Sequence, residues 1–375
     1  MNKRLLAILA ILVVGSLLFT ACGSAASTTT EEAAPAADEA APAADEAAAE
    51  PEFTCALITP NPLGDRSFID SSARGIEQAN ADLPVKCDII ETNGVSEHEA
   101  ALRGAIAEGY DLVLGLAIDA ELFASLANEF PDQKFSSPSE LFLDQLPSNL
   151  VSYQVEVHEA SFLAGLVAGK MTDSKVLGVV NGGDSPAMNQ FTYGFKQGVL
   201  EVCPDCQVLV SYLGFDFSNP TLGLETALAQ YEQGADIVYQ VAGRSGEGVL
   251  EAAAQVGKYA IGVDSNQDYI QPGSIITSVI KRVDKTTYDS IESVVNGTFE
   301  GGQFITKGMK DGFAGLSWDE GSTAFEENGP ADMVAKLADA KAVVEEYRAK
   351  ILSGEYKVCD SLYPDTPECV AVIGE

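Results

Sequence analysis

From Phe53 to about Leu352 the chain alternates short apolar runs with amphipathic stretches of helical period, and it does so in two successive rounds. In the first round Ala56–Ile58, Cys87–Ile90 and Leu112–Leu116 read as strands. Helices are expected over Ser67–Ala81, with Phe68, Ile76 and Ala79 inward, over Glu97–Glu108, and over Ala120–Phe130, with Phe123, Ala127 and Phe130 on one face. The second round sets helices at Val157–Lys170, Met188–Leu200, Thr221–Gln233 and Gly248–Val256 against strands at Val176–Val180, Gln207–Leu213, Asp236–Tyr239 and Ala260–Val263. Strands that are apolar throughout and separated by helices belong to a parallel sheet covered on both faces. The expected fold is therefore α/β, with two doubly wound parallel-sheet lobes.

No low-complexity linker separates the rounds, so the lobes are expected to be joined by strand crossovers. These fall near Ser152–Glu156, near Ile275–Lys281 and after Thr306. The first lobe then takes residues 53–154 and about 276–306, and the second takes 155–275 and about 307–375, including a helix over Pro330–Leu352 and a strand or loop at Gly354–Val358.

The N-terminus reads as an export signal. Asn2-Lys3-Arg4 precedes an apolar run from Leu5 to Phe19, too short and too soon interrupted to span a bilayer comfortably. Leu18-Phe19-Thr20-Ala21-Cys22 then resembles a lipobox, which makes residues 1–22 a lipoprotein signal peptide and Cys22 the lipidated residue; a plain cleaved signal is the alternative. After Gly23 the residues to Glu52 are Ala, Glu, Asp, Pro, Ser and Thr, with Ala33–Glu39 repeated as Ala40–Glu46, and residues 23–52 are expected to form a disordered tether. A lipid-anchored protein on the outer side of the cell membrane is the expected location.

The formal charge of −34 argues against nucleic acid or anionic lipid surfaces as partners. Beyond Cys22 the cysteines are Cys55, Cys87, Cys203, Cys206, Cys359 and Cys369. They fall into three local pairs and read as structural disulfides, although spacing leaves their connectivity open. A zinc site lacks partners, because the two histidines, His98 and His158, lie near no cysteine pair. No metal and no cofactor are expected.

Ligands of open parallel sheets bind beyond the carboxyl ends of the strands. The loop Thr59–Phe68 offers Asp65, Ser67 and Phe68, and Asp65 alone reads first as a helix cap. Ala242–Gly248 carries glycines, Gly243 among them, that let backbone approach a ligand. In Gly262–Asp268, Asp264 is placed to accept two hydroxyls of a sugar. Lys281, at the second crossover, either donates to the same ligand or is a solvated lysine at a helix start. No nucleophile elbow, no histidine set beside a nucleophile and no paired catalytic carboxylates stand out, so an enzyme is not expected.

Five stretches in register carry a resemblance: Gly64–Ser71, Glu159–Gly165, Gly234–Tyr239, Ala242–Gly248, and Ile261–Gln267 together with Thr277–Lys281. They resemble the basic membrane protein family of solute-binding lipoproteins, the nucleoside receptors of ABC importers related to purine nucleoside receptor A. The likeness covers about Phe53 to Tyr356. It implies a type I periplasmic-binding-protein fold whose lobes close on a nucleoside, with an ABC permease and its ATPase as partners and the chain acting as a monomer. It also implies stacking on Phe68, ribose contacts from Asp264 and Lys281, and surrounding contacts from Asp65, Ser67 and Gly243. Phe191, Tyr212 and Phe215 are unranked candidates for the second stacking face. Ile69 stands where the family commonly has asparagine, and Phe135–Ser139 is less apolar than its usual fourth strand. The competing readings are a sugar or polyol receptor and a sensory surface lipoprotein.

Overall fold

The computed structural model describes residues 53–373; Cys22 and the whole of residues 1–52 lie outside that range. The first round of the sequence pattern becomes β1 (Phe53–Thr59), α1 (Phe68–Asp82), β2 (Val85–Glu91), α2 (Val95–Glu108), β3 (Leu112–Gly115), α3 (Ala120–Glu129), β4 (Lys134–Ser137) and β5 (Leu150–Val155). The second becomes α4 (Val157–Met171), β6 (Val176–Asn181), α5 (Pro186–Val202), β7 (Gln207–Tyr212), α6 (Pro220–Glu232), β8 (Ile237–Val241), α7 (Ser245–Val256), β9 (Tyr259–Asp264) and β10 (Ile275–Lys281). The chain then runs through α8 (Val283–Val295), β11 (Gln303–Lys307), β12 (Ala314–Leu316), α9 (Ala324–Asn328), α10 (Ala331–Ser353) and α11 (Pro367–Ile373).

The strands form two six-stranded sheets, ordered β11-β5-β4-β3-β1-β2 and β12-β10-β9-β8-β6-β7. All pairings are parallel except β10 with β12. Two-sided burial explains the apolar strands. One face of the first sheet packs Ala56, Val113 and Phe135 against Leu102 of α2 and Phe123 and Leu126 of α3. Its other face packs Leu57 and Leu114 against Ile76 of α1 and Ile291 of α8. The second sheet is likewise covered by α4, α5 and α10 on one side and by α6 and α7 on the other.

Two boundaries differ from the sequence reading. Strand β10, assigned above to the first lobe from about residue 276, hydrogen-bonds to β9 in the second sheet, so the chain crosses at Arg282 instead. Its residues are buried throughout, as a strand between β9 and β12 requires. Ser245–Gly248, expected as loop, form the first turn of α7. Helix α8 received no assignment from sequence, and Gly354–Val358 forms no strand.

The three crossovers are tied together. The Glu156 amide donates to Lys307 O at 2.8 Å, and the Arg282 amide donates to Phe313 O at 2.8 Å. Each inter-lobe strand thus has a neighbour, which suits a hinge that bends without fraying.

Cys55 lies opposite Cys87 in the parallel pair β1–β2, and the two are joined; Cys203 is joined to Cys206 and Cys359 to Cys369. Cys55–Cys87 closes the longest loop, with a sequence separation of 32. Replacing both with alanine is expected to destabilise the first lobe by about 3–4 kcal/mol, chiefly by freeing the unfolded chain. A urea midpoint indistinguishable from wild type contradicts this.

Candidate functional site

The loop after β1 is folded by two acids. Asp65, 3% exposed, accepts the amides of Ser67 and Asp70 at 3.0 Å each and of Ile69 at 2.9 Å. Asp70 accepts those of Gly64 at 2.7 Å and Arg66 at 2.9 Å. Asp65 therefore satisfies the open amides of α1. Burial raises its pKa, and the amides it accepts pull the other way. Capped in this way, α1 presents Ser67 and a half-buried Phe68 toward the second lobe. Ile76 and Ala79 are buried as expected, whereas Phe68 is not part of the fully buried core.

The second lobe answers from the ends of β9 and β10. Ser67 Oγ donates to Asp264 Oδ2 at 2.6 Å, a contact between residues 197 apart in sequence. Asp264 sits at φ +65°, and Arg66, on the facing loop, at φ +51°. Non-glycine residues held in the left-handed region collect where function over-determines the backbone. Ala117 and Phe215, in loops that follow β3 and β7, share that conformation, as does the exposed Lys175 in the turn before β6.

Lys281 is the last residue of β10 and is 6% exposed, so it is not a solvated lysine at a helix start. Its Nζ lies 5.4 Å from the centroid of the Phe68 ring and 5.9 Å from that of Phe191. Asp264 is pushed up to about 6, first by burial; Lys281 and the Ser67 hydroxyl pull it down, while Asp65 and Glu140 push it further up.

Of the residues singled out from sequence, the structure brings Ser67, Phe68, Asp264 and Lys281 together, with Asp65 behind them as cap. Gly243, at φ +54°, packs against Phe217 at the start of α7. Among the three stacking candidates, Phe191 is the one beside Lys281. Tyr212 donates its hydroxyl to Asn189 Oδ1 at 2.8 Å, and Phe215 is 59% exposed.

The cleft also uses residues that sequence reasoning passed over. Glu140 reaches Lys281 from the loop after β4, with N···O distances of 3.0 and 3.1 Å. Arg74 Nη2 donates to Ser265 Oγ at 2.8 Å, and Gln267 Nε2 donates to Arg66 O at 3.2 Å. Gln267 Oε1 in turn accepts from Gln240 Nε2 at 2.6 Å and from the Val263 amide at 3.0 Å. Glu140 was within reach of the carboxyl-end rule, because it follows a strand; the others depend on which loops face each other. These contacts all run between the lobes or brace the loops that do, so the cleft is closed. A cavity of about 260 Å³ at its mouth is lined by Arg66, Arg74 and Tyr269 together with the carboxylates of Asp70 and Glu320. Among the described residues no cluster of metal-ligating side chains is present.

Comparison with known proteins identifies the family and supports the two-sheet α/β fold. The family model described as ABC transporter substrate-binding protein PnrA-like matches residues 53–353. Basic membrane protein B of Borrelia garinii is 30% identical over 275 residues, covering 70% of this chain and 80% of its own. Basic membrane protein A of Borreliella burgdorferi is 27% identical over 296 residues, covering 77% of this chain and 86% of its own. The crystal structure of an ABC transporter solute-binding protein from Aeropyrum pernix superposes with a TM-score of 0.72 at 27% identity, covering 86% of this chain and 97% of that one.

Proposed function

The chain belongs to the family of PnrA-like ABC transporter substrate-binding proteins, and from that premise we propose that its cleft captures a nucleoside and delivers it to a membrane permease. The observation that carries this reading is the grouping of Asp264 and Lys281 beside Phe68 and Phe191. A buried carboxylate and an ammonium supply an acceptor and a donor for vicinal hydroxyls. Two rings flanking the same ammonium offer a slot for a flat heterocycle. Ser67 holds Asp264 in place through its hydroxyl, and Asp65 holds Ser67.

A sugar or other polyol is the second reading, since a carboxylate and a lysine suit any vicinal diol. The aromatic pair favours a base-bearing ligand over a bare sugar. Nothing in the grouping resembles a nucleophile activated for turnover, and the binding reading needs none.

In the same proposal the protein works outside the cytoplasmic membrane as a monomer, anchored through a lipid on Cys22 by the segment of residues 23–52. Among the described residues no helix is long and apolar enough to cross a membrane. Mass spectrometry of the mature N-terminus tests the anchor: an unacylated Cys22 removes it.

Calorimetry on protein unfolded and refolded to strip co-purified ligand tests the ligand. Adenosine, guanosine, inosine and uridine are titrated beside adenine, ribose and glucose. Saturable binding of nucleosides, with silence for the base and the sugars, is the expected result. Heat from a sugar, with none from any nucleoside, overturns the nucleoside reading and leaves the fold untouched.

A further inference from the structure

Lys281 is met in the cleft by a carboxylate from the opposite lobe. Glu140 lies in the loop between β4 and β5, and its backbone is fixed from both sides by one serine. Ser152 Oγ donates to Ser139 O at 3.2 Å and accepts from the Leu141 amide at 2.9 Å. The Glu140 side chain then extends to Lys281, with both oxygens within 3.1 Å of Nζ, and Oε1 also accepts from the Val155 amide at 3.4 Å. The two side chains are 11% and 7% exposed, so the pair is shielded from water. Arg66 and Arg74 lie at the cleft mouth, where they face Glu247 and Ser265.

Two carboxylates, Glu140 and Asp264, thus act on one ammonium, with Asp65 behind Asp264. We propose that Glu140 is a positioning residue that pins and neutralises Lys281, and so makes the cleft accept an uncharged ribosyl ligand and reject its phosphorylated forms. The proposal rests on the nucleoside reading above. With Glu140 in place, Lys281 offers its remaining N–H to a hydroxyl and has no unbalanced charge for an anion. A phosphate monoester carries nearly two negative charges at neutral pH. In a cleft of low dielectric it meets the carboxylates of Glu140 and Asp264 at close range, a repulsive element of the kind that sets specificity.

Glu140 also acts on Asp264. The groups that face Asp264 are Lys281 and the Ser67 hydroxyl, which favour its ionisation, Asp65 and Glu140, which oppose it, and the phenol of Tyr239 on β8, which burial and the Asp264 charge hold protonated. Removing the Glu140 charge takes away one of the two opposing groups. The pH at which Asp264 ionises then falls, and the pH profile of binding moves with it.

The test is calorimetry of wild type, Glu140→Gln and Glu140→Asp against each nucleoside and its 2′-, 3′- and 5′-monophosphates, repeated from pH 5 to pH 8. In Glu140→Gln, nucleoside affinity is expected to fall roughly tenfold. The ratio of monophosphate to nucleoside affinity rises by about tenfold or more, and the acid midpoint of binding moves to lower pH. Glu140→Asp keeps the charge and keeps the wild-type ratio. The double variant Glu140→Gln with Lys281→Gln removes both charges, which buried pairs tolerate better than loss of one partner; it shows no gain toward monophosphates. A Glu140→Gln protein with the wild-type ratio and an unmoved midpoint overturns the proposal while leaving the nucleoside reading intact. If that variant fails to fold, a double variant that gains monophosphate binding overturns it as well. A wild type silent toward every nucleoside overturns both.

Discussion

Replacing Asp264 with asparagine is expected to weaken nucleoside binding about 100-fold while leaving the unliganded protein at least as stable as wild type at pH 7.5. The two halves of this expectation share one cause. Asp264 is buried against Ser67, and burial raises its pKa to about 6 in spite of Lys281. A carboxylate whose folded pKa lies above its unfolded value destabilises the fold as it ionises. The unfolded chain gives up its proton near pH 4, so stability falls as pH rises from about 4 to about 6. Asparagine keeps the acceptor for the Ser67 hydroxyl and never ionises, so that loss disappears. The ligand needs the opposite state. Hydroxyls donate more strongly to an ionised carboxylate, and losing a buried charged partner costs 2–5 kcal/mol of binding, which is where the expected factor comes from. For the wild type, affinity should accordingly decline as pH falls through about 6 while the melting temperature rises. Binding by Asp264→Asn within a few-fold of wild type removes Asp264 from the site. A melting temperature well below wild type removes the stability half of the argument.

Gly198→Val is expected to cost about 3–5 kcal/mol of stability, or to prevent folding. Helices α4 and α5 meet through glycines from both sides. A Cβ on Gly198 comes within 2.0 Å of Phe162 O, and one on Gly165 within 2.1 Å of Phe195 O. Gly194 faces His158 O at 2.3 Å. These obstacles are backbone atoms, which no rotamer change relieves, so the helices must separate. That separation pulls apart the Leu163, Leu166, Phe195 and Val199 core of the second lobe. The control is Gly104→Ala on the exposed face of α2, where an added Cβ meets nothing within 4 Å. There alanine should stabilise by about 0.5–1 kcal/mol, because glycine carries more chain entropy into a helix. Chemical denaturation of both variants decides: equal midpoints contradict the packing argument.

The type and order of most elements from β1 to β9 were legible in the sequence, because burial on both faces leaves its mark in local patterns, whereas α8, β12, α9 and α11 were not assigned. Runs such as Leu112-Val113-Leu114 report a covered strand wherever they sit, and the spacing of Phe123 and Ala127 reports a helix face. The loops worth searching were legible for the same reason, since strand ends are visible in the pattern and Ser67, Asp264 and Lys281 all stand at or just beyond them. Which residues meet was decided by the tertiary structure. Glu140 and Lys281 lie 141 residues apart, and Ser67 and Asp264 lie 197 apart, so no local period records either contact. That Phe191 lies beside Lys281 depended on which face of α5 turns to it. Strand β10 was placed in the wrong lobe because a buried strand carries no sign of which sheet it joins. Local sequence encodes how much of a residue is hidden from water, whereas its partner is settled by the packing of two sheets across three crossovers.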